Sequence, residues 1–139
     1  MTVGTGHVDE HFNEDYEVFK KLKDKEKKRF PEFFVISPPK TGTTWLFHQL
    51  QKHPDIYIPE VKEVKYFSDY WKYEDINWYL KHYRNSQSRK SGDISPTYSI
   101  LPTTIIKILK NIKPDLKLIF LMRDPVNRAW SNAKHAYKY

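Results

Sequence analysis

Phe33-Phe34-Val35-Ile36-Ser37-Pro38-Pro39-Lys40-Thr41-Gly42-Thr43-Thr44-Trp45 is the stretch whose reading decides the fold. Its first five residues form a short apolar, β-prone run halted by two prolines, the pattern of a strand buried on both faces. From Thr43 to Lys52 the pattern is helical, ending at His53-Pro54. A strand that runs through such a loop into a helix is built like a cradle for an anion. Gly42 lets the backbone turn tightly and approach a ligand closely. The first free N–H groups of the helix, near Thr43 and Thr44, point at whatever sits over its positive end. Lys40 adds a point charge, three Thr hydroxyls add donors, and two prolines stiffen the approach. An ordinary strand-to-helix turn with a Thr N-cap accounts for one Thr. It does not account for a Lys, a Gly and three Thr within five positions. The loop is not a Walker A motif, in which the Lys follows the last Gly; here Lys40 precedes Gly42.

Outward from this unit the pattern recurs. Lys117-Leu118-Ile119-Phe120-Leu121-Met122 reads as a second buried apolar strand, ending at Arg123-Asp124-Pro125, and Val126 to Tyr137 reads as a helix. Between the two units a short strand is expected near Val64–Phe67, an aromatic helix around Ile76–Tyr83, a turn or strand at Gly92–Ser95 and a helix over Thr103–Asn111. Recurring strand–helix units argue for an α/β fold, a parallel sheet flanked by helices. In such sheets ligands sit at the carboxyl ends of strands, which points to Pro38–Trp45 and to Arg123–Ser131.

Composition narrows the classes. The 139 residues include no Cys, which excludes a disulfide scaffold, a thiolate zinc site and a Cys nucleophile. Aromatic residues make up 16%, too many for a chain disordered by composition. No apolar run approaches the ~20 residues of a membrane span and no signal-like segment follows Met1, so a soluble, cytoplasmic chain is expected. The net charge of +7 is unevenly placed. Residues 1–19 carry five acids and no Lys or Arg, and residues 20–29 carry seven bases and two acids, so −5 and +5 cancel. The whole excess falls on residues 30–139, which suggests an anionic partner: phosphate, sulfate, nucleotide or nucleic acid. Residues 1–29 read as a charged tail and helix, with Phe12, Tyr16, Phe19 and Leu22 at helical spacing. The interleaved acids favour a solvated helix face over a nucleic-acid or lipid contact.

The motif Pro39-Lys40-Thr41-Gly42-Thr43-Thr44-Trp45 resembles the 5′-phosphosulfate loop of sulfotransferases that use 3′-phosphoadenosine 5′-phosphosulfate (PAPS), in the form with a terminal Trp typical of the cytosolic members. Leu121 to Ser131 resembles the family's 3′-phosphate motif, in which a strand-end Arg and a Ser eight residues later hold the ribose phosphate. A guanidinium fork at a strand end suits that task. His53-Pro54-Asp55-Ile56-Tyr57, Lys62-Glu63-Val64-Lys65-Tyr66-Phe67 and Ile76-Asn77-Trp78-Tyr79 are similar to runs of the bacterial and heparan-type members. Gly92-Asp93-Ile94-Ser95-Pro96-Thr97-Tyr98 is similar to a further segment of those members. Departures are Lys65 where His is common, Tyr66 for a Phe, and Ile94 where heparan-type members often carry a Lys.

The resemblance implies a P-loop-like sulfotransferase domain, with residues 30–139 as its N-terminal portion, and sulfuryl transfer from PAPS to a hydroxyl or amine of a small-molecule or carbohydrate acceptor. Adenosine 3′,5′-bisphosphate would be the other product, and no metal is required. The implied site residues are Lys40 (also stabilising the leaving phosphate), Thr41, Gly42, Thr43, Thr44, Trp45, Arg123 and Ser131 for the nucleotide. Glu63 is the implied general base. Glu63 also has a plain reading, a surface charge pair with Lys62 and Lys65. The cytosolic members use a His as base, but neither His48 nor His53 lies in a matching motif. Family domains usually run on well beyond this span, so a truncated sheet with an uncovered edge, and with it homo-oligomerisation, is expected. A nucleotide-binding partial domain without transfer activity, a kinase-like ATP enzyme and a nucleic-acid module using Lys20–Arg29 remain as rivals.

Overall fold

The computed structural model describes Phe19 and residues 22–137. Phe12 and Tyr16 lie outside the described residues. The elements are α1 (Asp24–Lys27), β1 (Phe33–Val35), α2 (Thr43–Gln51), β2 (Ile56–Tyr57), a π-helical turn (Tyr66–Tyr70), α3 (Ile76–Lys81), β3 (Lys90–Ile94), a 3-10 turn (Pro96–Ile100), α4 (Thr103–Ile112), β4 (Lys117–Ile119) and α5 (Pro125–Ala136). The four strands form one parallel sheet in the order β2-β3-β1-β4. The α/β class expected from the recurring units is therefore the one observed.

Strand β1 is the central piece, and its side chains alternate between two layers as a pleat requires. Phe34 enters the larger core with Phe30, Tyr66, Phe67, Tyr79, Tyr98 and the buried face of α4. Phe33 and Val35 point the other way, to Phe47 of α2, Ile58 and Ile94. Residues Ile105, Ile108, Leu109 and Ile112 bury one stripe of α4, the spacing of an amphipathic helix. Gly92 pairs with Phe33 across the β1–β3 ladder. A Cβ built on Gly92 would lie 2.1 Å from Phe33 Cζ, so the absent side chain makes room for that ring.

Two expectations need correction. Val64–Phe67 is not a strand: Val64 and Lys65 are irregular and Tyr66 opens the π-helical turn. Its apolar residues are buried through packing against α3 and Tyr98 rather than through a ladder. The short strand of this region is instead Ile56–Tyr57, on the sheet's outer edge beside Lys90. Second, β4 is regular only over Lys117–Ile119 and is exposed, not buried. It has β1 on one side and occupies the end of the strand order, so Leu118, Phe120 and Met122 stay open to solvent. The apolar residues Val126 and Trp130 of α5 are exposed as well. Of the expected charged N-terminal helix, the described residues are helical Phe19 and the single turn α1, and Phe19 and Leu22 pack into the larger core; the rest of that stretch lies outside the described residues. An apolar groove of about 270 Å³ between α4 and the sheet is lined by Phe34, Ile36, Leu109 and Leu118 and by none of the phosphate-loop residues.

Candidate functional site

Four segments leave the sheet at its carboxyl edge, one after each parallel strand: the loop after β1, the segment after β2 that carries Glu63, the turn after β3 and the segment after β4. The β1 loop turns sharply. Lys40 and Gly42 both take left-handed backbone angles, φ 70 and 102. Such a conformation is costless for Gly42 and costs Lys40 of order 1 kcal/mol. The Thr41 hydroxyl donates to the Pro38 carbonyl oxygen at 2.8 Å and closes the turn. Gly42 is the N-cap of α2, and since it supplies no side chain, the leading N–H groups of that helix face the loop uncapped. Thr43 is buried, while Thr44 is exposed and Trp45 is 67% exposed, unlike a core tryptophan.

The segment after β4 comes to this loop. Ile36 N–H bonds Ile119 O at 3.1 Å, extending the β1–β4 ladder, and Leu121 N–H donates to Ser37 Oγ. Arg123 then reaches across, its Nη1 donating to the Lys40 carbonyl oxygen at 3.0 Å. Asp124, the obvious ion-pair partner for Arg123, instead caps α5, its Oδ1 accepting Asn127 N–H at 2.8 Å. Pro125 starts that helix, and Ser131 is half-buried in its second turn. Lys40, Thr41, Gly42, Thr43, Thr44 and Trp45 therefore lie on one loop and helix start, and Arg123 touches that loop.

Glu63 reaches the sheet edge by another route. It and Lys65 are left-handed, φ 61 and 55, on either side of buried Val64. Lys65 N–H donates to Ser95 Oγ at 3.1 Å, which attaches this turn to the end of β3. The Glu63 carboxylate pairs with Lys62 through Oε1 and with Lys65 through Oε2, the latter at 3.4 Å. Burial pushes its pKa up, but the Lys62 and Lys65 ammonium groups outweigh this and hold it below the ordinary glutamate value. At neutral pH the group is an ionised acceptor. It belongs to the half-buried ion-pair cluster that the plain reading of its neighbours anticipated.

The segment Gly92–Tyr98 has no role that its sequence alone assigns. Within it lies Asp93, fully buried, which accepts hydrogen bonds from Ser95 Oγ at 2.7 Å, Tyr79 OH at 2.9 Å and Tyr98 OH at 3.1 Å. Burial raises the Asp93 pKa above the usual aspartate value, and these hydroxyls offset part of that rise. Among the aromatic residues between positions 70 and 83, Tyr79 and Tyr83 are core, Trp71 and Trp78 pack against it, and Tyr70 and Tyr73 are exposed. Ser37 was likewise unsingled; only the observed pairing of β1 with β4 makes it a bridge.

Comparison with known proteins places the fold in a family. A family model described as a sulfotransferase domain matches residues 30–138. The membrane-associated sulfotransferase kil1 of Dictyostelium discoideum is 40% identical over 105 residues, which are 73% of this chain and 22% of that protein. Bifunctional heparan sulfate N-deacetylase/N-sulfotransferase 1 of Mus musculus is 28% identical over 124 residues, 81% of this chain and 14% of that protein. The crystal structure of a sulfotransferase from Alicyclobacillus acidocaldarius superposes with a TM-score of 0.68 at 29% identity, covering 78% of this chain and 51% of that one. The chain thus spans less than a quarter of these two curated relatives and about half of the solved structure. Among the described residues no helix is long and apolar enough to cross a membrane.

Proposed function

The chain belongs to the sulfotransferase domain family, and from that premise we propose that it binds PAPS at the carboxyl edge of the sheet and moves its sulfuryl group to a hydroxyl or amine acceptor. The observation that carries the reading is the Arg123–Lys40 hydrogen bond, which ties together two cation-bearing loops from neighbouring strands and so supports one shared anion site. The donor set suits a nucleotide with phosphate at both ends. The uncapped N–H groups at the start of α2, the Thr44 hydroxyl and the Lys40 ammonium suit the 5′-phosphosulfate. The Arg123 fork and the Ser131 hydroxyl suit the 3′-phosphate, the group that distinguishes this donor from ATP. Exposed Trp45 offers an aromatic face for adenine.

When bound, PAPS supplies the sulfuryl group and a phosphate that leaves with negative charge. Work of this kind is mostly positioning and charge stabilisation. Lys40 neutralises charge on the departing phosphate. Glu63 takes the acceptor's proton as general base, a task it performs once a ligand draws Lys62 or Lys65 away from its oxygens. Residues 30–139 act in this reading as the N-terminal portion of the domain.

A second reading, binding of the nucleotide without transfer, is favoured by one observation. The surface beside Arg123, formed by Leu118, Phe120, Met122, Val126 and Trp130, is open to solvent. One experiment separates the two. Calorimetry with adenosine 3′,5′-bisphosphate against adenosine 5′-monophosphate tests the site, and transfer of labelled sulfate from PAPS tests the reaction. Preference for the bisphosphate with transfer supports the first reading, and the same preference without transfer supports the second. Equal affinities reject both.

A further inference from the structure

The buried carboxylate of Asp93 stands at the head of two hydrogen-bonded relays that end on the same segment. Through Oδ1 it accepts Ser95 Oγ at 2.7 Å, and Ser95 Oγ in turn accepts the Lys65 N–H at 3.1 Å. Through Oδ2 it accepts the Tyr98 hydroxyl at 3.1 Å, and that hydroxyl accepts the Phe67 N–H at 3.3 Å. Ser68 Oγ and Thr97 Oγ1, 2.8 Å apart, add a third link between the same two stretches. With Ser95, Tyr79 and Tyr98 all donating their hydroxyl protons to it, the carboxyl group leaves the Ser95 and Tyr98 lone pairs for the backbone N–H groups beyond. The segment so held starts with two left-handed non-glycine residues, Glu63 and Lys65, a conformation that persists only where the surroundings enforce it. Because Lys62 and Lys65 pair with Glu63 from the same turn, the backbone angles there also fix where the carboxylate and its cations stand.

We propose that Asp93 and Ser95 are positioning residues for Glu63, holding the 63–65 turn in its left-handed form through the Lys65 N–H. The inference rests on the reading of Glu63 as the base for its functional meaning, but the geometric claim stands apart from it. The side-chain hydrogen bonds of both residues run to the Lys65 N–H, to Tyr79, to Tyr98 and to each other rather than to the phosphate loop. Loss of the relay therefore disturbs Glu63 and leaves the anion site intact.

The test compares Ser95→Ala with Ser95→Thr in the full chain, reading the Glu63 carboxyl by carbon-13 NMR titration and the anion site by calorimetry with adenosine 3′,5′-bisphosphate. The alanine variant is expected to move the Glu63 midpoint up toward the ordinary glutamate value, since Lys65 is no longer held against it. The threonine variant, which keeps the hydroxyl, is expected to titrate like the wild type, and both are expected to bind the bisphosphate unchanged. An unchanged Glu63 midpoint in Ser95→Ala overturns the proposal, as does an equal shift in Ser95→Thr. If Ser95→Ala does not fold, Ser95→Cys, close in size and a poor acceptor, takes its place with the same outcomes. Failure of the base reading shows separately, as unaltered transfer in Glu63→Gln while the Ser95 shift persists.

Discussion

Arg123 Nη1 lies 3.0 Å from the Lys40 carbonyl oxygen, a bond between residues 83 positions apart in sequence. It ties the end of one strand's exit to the left-handed corner of its neighbour's loop, so the guanidinium holds backbone with one nitrogen and keeps its other N–H donors for an anion. Arg123→Ala should therefore weaken adenosine 3′,5′-bisphosphate more than adenosine 5′-monophosphate, by about tenfold or more for a lost charge-assisted pair. The monophosphate should suffer a smaller loss from the slackened Lys40 corner. Calorimetry with both nucleotides checks this, and equal losses would remove Arg123 from the 3′-phosphate.

Lys40 is assigned to the departing phosphate, where charge grows during reaction. Lys40→Ala should lower turnover by about 10²–10³-fold, the scale for loss of one preorganised stabilising group, and reduce bisphosphate affinity much less. Single-turnover transfer measured beside a binding isotherm checks the split. Near-normal turnover would reject the role.

Glu63 has its pKa lowered because the Lys62 and Lys65 ammonium groups outweigh the opposing effect of burial. The sign follows: a depressed folded value gives stability that is present above the ordinary glutamate pKa and is lost as pH falls through the folded value. In the free enzyme the carboxylate remains ionised to a pH below the ordinary glutamate range, so the acid limb of the kcat/KM profile should lie there. In Lys62→Met the burial effect is less opposed, and that limb should move to higher pH. A pH–rate series on both proteins measures the direction.

Asp93 behaves with the opposite sign. Burial raises its folded pKa despite the Ser95, Tyr79 and Tyr98 hydroxyls, so its contribution to stability is full below the ordinary aspartate pKa and declines as pH rises through the folded value. Asp93→Asn should abolish that part of the pH dependence while lowering stability overall, because the amide nitrogen cannot accept a hydroxyl proton. Urea unfolding at a series of mildly acidic pH values gives the comparison.

Gly92 is fixed by the ring beside it. In Gly92→Ala the new methyl would meet Phe33 Cζ at 2.1 Å, and overpacking of this kind costs about 1–3 kcal/mol. Phe33→Leu in the same chain should recover part of the loss, giving a measurable coupling between the two sites. Additive losses would contradict the contact.

Much of the fold was legible because local pattern and final packing agree. The apolar run at Phe33–Val35 is the sheet's centre, and the Pro–Pro stop, Gly42 and the Thr pair mark the loop and helix start where they occur. Lys117–Met122 misled for a physical reason: apolar content states what a strand is suited to bury, not how many neighbours it has, and among the described residues β4 has β1 alone. Val64–Phe67 misled because a short β-prone run fits a packed π-helical turn equally well, with aromatic contacts from α3 deciding between them. At the candidate site, the position of the loop and helix start was readable, whereas the Asp93 relays were not. They join residues about thirty positions apart through hydroxyls that look unremarkable in sequence.

The exposure of β4 and its flanking residues also bears on how long a nucleotide stays. A guanidinium facing bulk water is screened within about 10 Å at 0.1 M salt, whereas the N–H groups at the start of α2 grip by short contacts that salt shields far less. Dissociation should therefore begin at the ribose end of the ligand. Raising the ionic strength should shorten residence time chiefly by loosening that end, leaving the opposite phosphate as the last point of attachment.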